Sequence, residues 1–94
     1  MKFMITCRIH DEKRHEALEH FSGMSTEDDA AEQGDVELIG RWHDLVSFTG
    51  VAICEAEDVA AVSNWILNWN AIIDAEVTPV CDDDEVRAIG RART

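Results

Sequence analysis

Polar and apolar residues alternate one by one along residues 2–10. Phe3, Ile5, Cys7 and Ile9 fall on one side of an extended chain, and Met4, Thr6, Arg8 and His10 on the other. This predicts a first strand. From Asp11 the period changes. Arg14, Ala17, Leu18, Phe21 and Met24 recur every three or four residues, which predicts a helix over about 12–24 with Asp11 as its cap and Gly23 at its end. Residues 25–35 are polar and acidic, with Ser25/Asp28 or Thr26/Asp29 spaced as a capping box for one short helical turn, and Gly34-Asp35 as a turn. Alternation returns over 36–42 and 49–55, predicting two more strands. Asp58 then opens a helix over about 59–73, with Val62, Trp65, Ile66, Trp69 and Ile73 as its apolar stripe. A last strand is expected over 75–81, where Pro79 favours an edge position. The tail carries an acidic start, Val86 and Ile89 at helical spacing, and basic residues after Gly90, which predicts a short terminal helix.

The expected order is β-α-β-β-α-β, in a single domain covering 1–94. Two interleaved crossovers of this kind give an α+β fold of ferredoxin-like type: a four-stranded antiparallel sheet with two helices on one face. The first and third strands are then central, and the second lies at an edge beside the third. Strict alternation assigns Phe3, Ile5, Cys7, Ile9, Val36, Leu38, Trp42, Val51 and Ile53 to the helix side. It assigns Met4, Thr6, Arg8, His10, Ile39, Arg41, His43, Ala52 and Cys54 to the open side, with Glu76, Thr78 and Val80 from the last strand. Such an open face is more apolar than a solvated one should be. A homodimer with two sheets face to face, as a dimeric α/β barrel, is the expected solution.

Candidate chemistry gathers on that same face. Arg8, Arg41, Glu76 and Thr78 are the expected ligand-binding residues of an inter-sheet cleft, since paired guanidinium groups suit a small anion or carboxylate. His10 and His43 are the candidate acid or base groups, because imidazole titrates near neutral pH. The competing expectation is structural, with the arginines pairing across strands with Glu37 or Glu76. No metal site is expected: His15 and His20 are five residues apart on a helix, and Asp82-Asp83-Asp84-Glu85 lacks the spaced ligands of a calcium loop. No phosphate-binding glycine loop, nucleophile elbow or zinc motif is present, and no cofactor is expected.

Composition narrows the partners. The 94 residues carry 20 Asp and Glu against 8 Lys and Arg, a net charge of −12. Such a charge repels phosphate, so neither nucleic acid nor an anionic membrane is an expected partner. Ten of the acids lie between Asp11 and Glu37, whereas residues 86–94 contain three arginines and no acid. Cys7, Cys54 and Cys81 are odd in number and fit no disulfide framework. Reduced thiols in a cytoplasmic protein are the expectation, and no apolar run or leader-like start suggests otherwise.

Three stretches, MKFMITCRIH, LIGRWHDL followed by TGVAICE, and WILNWNAIIDAEVTPVCDDDE, together resemble a family of small bacterial proteins known as domain of unknown function 3303. The most specific pieces are GRWHDL at 40–45, NWN at 68–70 and VTPV at 77–80. The resemblance implies a ferredoxin-like fold of the dimeric α/β-barrel kind and carries no activity or catalytic residues. Three functions compete: a small-molecule binding or sensing module, a cofactor-independent enzyme of cyclase or monooxygenase type with a histidine base, and an acidic protein-interaction module. The binding module ranks first.

Overall fold

The computed structural model describes residues 1–94. Four strands, β1 (Lys2–Ile9), β2 (Glu37–Asp44), β3 (Thr49–Glu55) and β4 (Ile73–Val80), form one antiparallel sheet in the order β2-β3-β1-β4. Four α-helices accompany them: α1 (Arg14–Ser22), α2 (Thr26–Gln33), α3 (Val59–Ile66) and α4 (Asp83–Ala92). This is the α+β ferredoxin-like arrangement, with β1 and β3 central and Pro79 in the edge strand β4.

Local chemistry sets the helix ends. Asp11 does not cap α1. It lies in a 3-10 turn over Asp11–Lys13 and pairs with Arg14 at 3.1 Å. The acidic segment forms two turns of helix, because the Ser25 hydroxyl accepts from the Asp28 N–H while the Asp28 carboxylate accepts from the Ser25 N–H. Those bonds hold the Asp28 carboxyl below its usual range. Asp58 Oδ1 accepts from the Ala61 N–H at 3.1 Å and starts α3. That helix stops at Ile66 and tightens to a 3-10 turn over Leu67–Trp69, so it is shorter than the apolar stripe suggests. Asn68 lies within this turn and Asn70 ends it, and asparagine competes with the helix for backbone hydrogen bonds. Ile73 therefore joins β4, opposite Ile9.

The core lies between α3 and the sheet. It contains Phe3, Ile5, Val36, Ala52, Cys54, Ala56, Val62 and Trp65. The strict alternation expected for β2 fails here. Leu38 pairs with Cys54, but Gly40 pairs with the adjacent Ile53, so Ile39 is an extra residue in a β-bulge. Every β2 residue beyond it changes face. Trp42 turns outward and is 61% exposed, while Arg41 and His43 come into line with Ala52 and Gly50 on the helix side. The expectation for β3 is corrected as well. Gly50, Ala52 and Cys54 face the helices, and the larger Val51 and Ile53 face away. Bulky Val62 and Trp65 on α3 pack with Phe3 and Ile5 on this side, where β3 contributes only small side chains.

The open face thus presents Met4, Val51 and Ile53 on its two central strands and Trp42 beside Val51 on the β2 edge, with Glu76 and Thr78 on the β4 edge and Arg8 near the end of β1. Trp42 lies back over Gly40, where a Cβ would meet the indole at 2.4 Å.

Two glycines differ sharply. Gly34, between α2 and β2, has φ +62° and ψ −124°, a conformation essentially reserved for glycine, whereas Gly23 ends α1 at φ −84°. Gly34→Ala should lower the unfolding free energy by about 1–3 kcal/mol, and Gly23→Ala should change it by less than about 1 kcal/mol. Urea unfolding of both variants checks this contrast.

Candidate functional site

The bulge in β2 has a direct chemical result. It carries Arg41 and His43 from the open face, where alternation placed them, to the helix side of the sheet. There they border a cavity of about 520 Å³ between the sheet and helices α1 and α3. Of its 18 lining residues, 15 are hydrophobic. Ile5, Cys7, Gly50 and Ala52 form a floor of mostly small side chains; Phe21, Phe48, Trp65 and Trp69 supply aromatic walls. Volume and lining fall within the range of sites that enclose a small molecule, about 300–1,000 Å³.

Gly50 widens the floor. A Cβ there would sit 3.2 Å from Cys7 Sγ and 3.9 Å from His43 Nδ1. Phe48 adopts φ 54° in the turn before β3, a conformation that costs a non-glycine residue about 1 kcal/mol or more. Its ring lies under the Arg14 guanidinium, 5.4 Å from centroid to Cζ, and edge-on to His15.

Arg41 is fully engaged within the protein. Its Nη1 donates to Asp29 Oδ1 at 3.3 Å and its Nη2 to Asp29 Oδ2, a two-pronged pair between β2 and α2. The guanidinium also stands over the Phe21 ring, 4.8 Å from its centroid. Both partners are mostly covered, at 21% and 17% side-chain exposure. The His43 ring leans on Phe21 at 5.2 Å. Burial pushes the His43 imidazole below its usual value near 6.5, Arg41 pushes it further, and Asp29 opposes them. His43 is therefore neutral at pH 7. Burial likewise raises the Cys7 thiol, so it too is uncharged. Two polar atoms are buried without a partner in the protein: Arg14 Nε and the Trp65 indole N–H.

The other expected site residues lie elsewhere. Arg8 is exposed on the open face, opposite Asp74 in register, so it is separated from Arg41 by the sheet itself. His10 Nε2 donates to Asp74 Oδ1 at 3.1 Å at the sheet's end, in a polar recess with Arg8, Asp11 and Glu12. Glu76 and Thr78 stand opposite Thr6 and Met4 on the open face. The structure brings together Arg41 with His43, and Arg8 with His10, and does not unite the pairs. Alternation overlooks the cavity's own walls. The Trp65/Trp69 spacing signals an apolar helix face but not the gap beside it, and nothing in the pattern couples Asp29 to Arg41.

The architecture defines an α+β protein of ferredoxin-like type with an apolar cavity under its helices. The family model described as Domain of unknown function (DUF3303) matches residues 1–94, and the chain belongs to that family. No curated protein matches it. No helix is long and apolar enough to cross a membrane.

Asp29→Ala should leave Arg41 without its carboxylate and cost about 1.5–3 kcal/mol, the usual worth of hydrogen bonds to a charged group. Hydrogen exchange should then quicken in α2 while β1 and β3 keep their protection.

Proposed function

We propose that this protein binds a small, neutral, largely aromatic molecule in the cavity between sheet and helices. The carrying observation is the pairing of an apolar aromatic enclosure with polar groups that hold no net charge to offer. Arg41 is neutralised by Asp29, and His43 and Cys7 are uncharged at pH 7. A free carboxylate entering would lose its hydration without gaining an unpaired cation. This reading replaces the anion cleft built on Arg8, Arg41, Glu76 and Thr78. We also propose that the chain works as a homodimer through its open face, a reading supported by the apolar centre there and by the exposure of Trp42.

Calorimetry with 2-naphthol and 2-naphthoate tests the cavity. Naphthol should bind, naphthoate should bind at least about tenfold more weakly, and Cys7→Phe should abolish binding by filling the floor. Thr78→Ala, on the opposite face, should bind as the wild type does. Equal affinity for the two probes, or full binding by Cys7→Phe, would overturn the reading.

A second reading, a cofactor-independent enzyme, is favoured by one observation: His43 borders the apolar cavity in its basic, neutral form. A reaction using it as general base should be full at pH 7 and fall as pH drops, with a midpoint below 6.5. His43→Gln should remove most of the rate, whereas His10→Gln, at the sheet's end, should not. A pH–rate profile of turnover with any cavity-bound substrate decides it.

A further inference from the structure

Helix α4 is an oddity of this fold. It carries a complete capping box, with Asp82 Oδ1 accepting from the Glu85 N–H at 2.8 Å and Glu85 Oε1 accepting from the Asp82 N–H at 3.1 Å. Lys2 clamps its start, 3.1 Å from Asp82 and 3.8 Å from Glu85. Yet every residue from Asp83 to Thr94 is exposed, including Val86 at 57% and Ile89 at 53%. The molecule measures 51 × 27 × 19 Å, far from the near-spherical shape of a closed domain. A ten-residue helix held to the rest of the chain only at its first turn is marginal in water, because isolated helices shorter than about 12–15 residues barely hold. The apolar stripe of Val86 and Ile89 needs a covering surface.

Charge points to which surface. The open sheet face has an apolar patch of Met4, Val51 and Ile53 on the central strands, extended to the β2 edge by Trp42, and around it stand the carboxylates of Glu37, Glu55, Asp74 and Glu76. Only Lys2 and Arg8 oppose them there, and Lys2 is already held by Asp82 and Glu85. Two such faces pressed directly together would set acid against acid. The end of α4 carries the missing complement: Arg87 is paired with Asp83 and Asp84 on its own helix, but Arg91 and, just beyond the helix, Arg93 make no ion pair in the single chain, and no acid follows Glu85. Dimensions agree. Ten helical residues span about 15 Å, and four strands span about 14 Å from first to last.

We infer that α4 of one copy lies across the open sheet face of a second copy, its Val86 and Ile89 on the apolar centre and its arginines against the acidic rim. The exchange is reciprocal, as two-fold symmetry requires. This inference deepens the homodimer reading above and is independent of the cavity ligand. It identifies the covering element as a helix from the partner and not the partner's sheet.

Sedimentation velocity on the full chain tests it, with disulfide trapping in a Cys81→Ser background. The wild type should be a dimer that weakens with added salt, because the rim contacts are charged. Val86→Asp with Ile89→Asp should shift the dissociation constant upward by at least about 100-fold. The fold should survive, as both residues are exposed in the single chain. Trp42→Glu should do the same from the other side of the contact. Mixing an Ile89→Cys chain with a Val51→Cys chain should yield a disulfide between chains.

A monomeric wild type would overturn both this inference and the homodimer reading. A dimer broken by Trp42→Glu but indifferent to the α4 pair would overturn this inference alone, leaving sheets packed directly. A chain carrying both cysteines that closes on itself would show α4 folded onto its own sheet and would also overturn it. So would a wild type that stays monomeric and sediments with phosphatidylserine vesicles.

Discussion

One extra residue in an edge strand organises the functional half of this molecule. The bulge at Ile39 lets Leu38 stay in the core while turning Arg41 and His43 beneath the helices and Trp42 out to the open face. Because side chains alternate strictly along a strand, a single insertion exchanges the faces of everything beyond it. Without it, the Trp42 side chain would point to the helix side and two basic residues would stand on the bare sheet. Gly40 accommodates the change, since only a residue without a Cβ leaves room for the Trp42 indole that folds over it.

The Arg41–Asp29 pair follows from that placement. Once inside, a guanidinium must find a partner, and α2 supplies it from a segment whose helix rests on its own capping box. The same pair joins α2 to the sheet, shields the cavity edge from net charge and holds a positive group next to His43. Structure and electrostatics are thus coupled at one point: whatever loosens α2 also changes the charge seen by a cavity ligand.

Much of the fold was legible along the chain. β3 appears at 49–55, as its alternation predicts, and Ser25 with Asp28 forms the capping box its spacing suggests. Asp58 starts α3, and the terminal helix is present. The site was far less legible. Arg8 and Arg41 share parity in an ideal alternation, and no residue pattern distinguishes a bulged strand from a regular one when Ile39 and Gly40 are both tolerable on either face. For β3, hydrophobicity argued for Val51 and Ile53 inside; the register with β1 instead turns Gly50, Ala52 and Cys54 to the helix side, in line with Cys7, Ile5 and Phe3.

Periodicity, capping residues and turn glycines therefore determined by themselves which elements form and in what order, since each depends on neighbours within a few positions. The tertiary structure alone decided which side of the sheet each residue faces past the bulge, where volume is left unfilled, and which carboxylate meets Arg41. Those outcomes depend on how bulky helix residues share a fixed layer with small sheet residues, a constraint between segments far apart in the chain. The strongly acidic average likewise says little about a cavity whose few polar groups are paired or neutral.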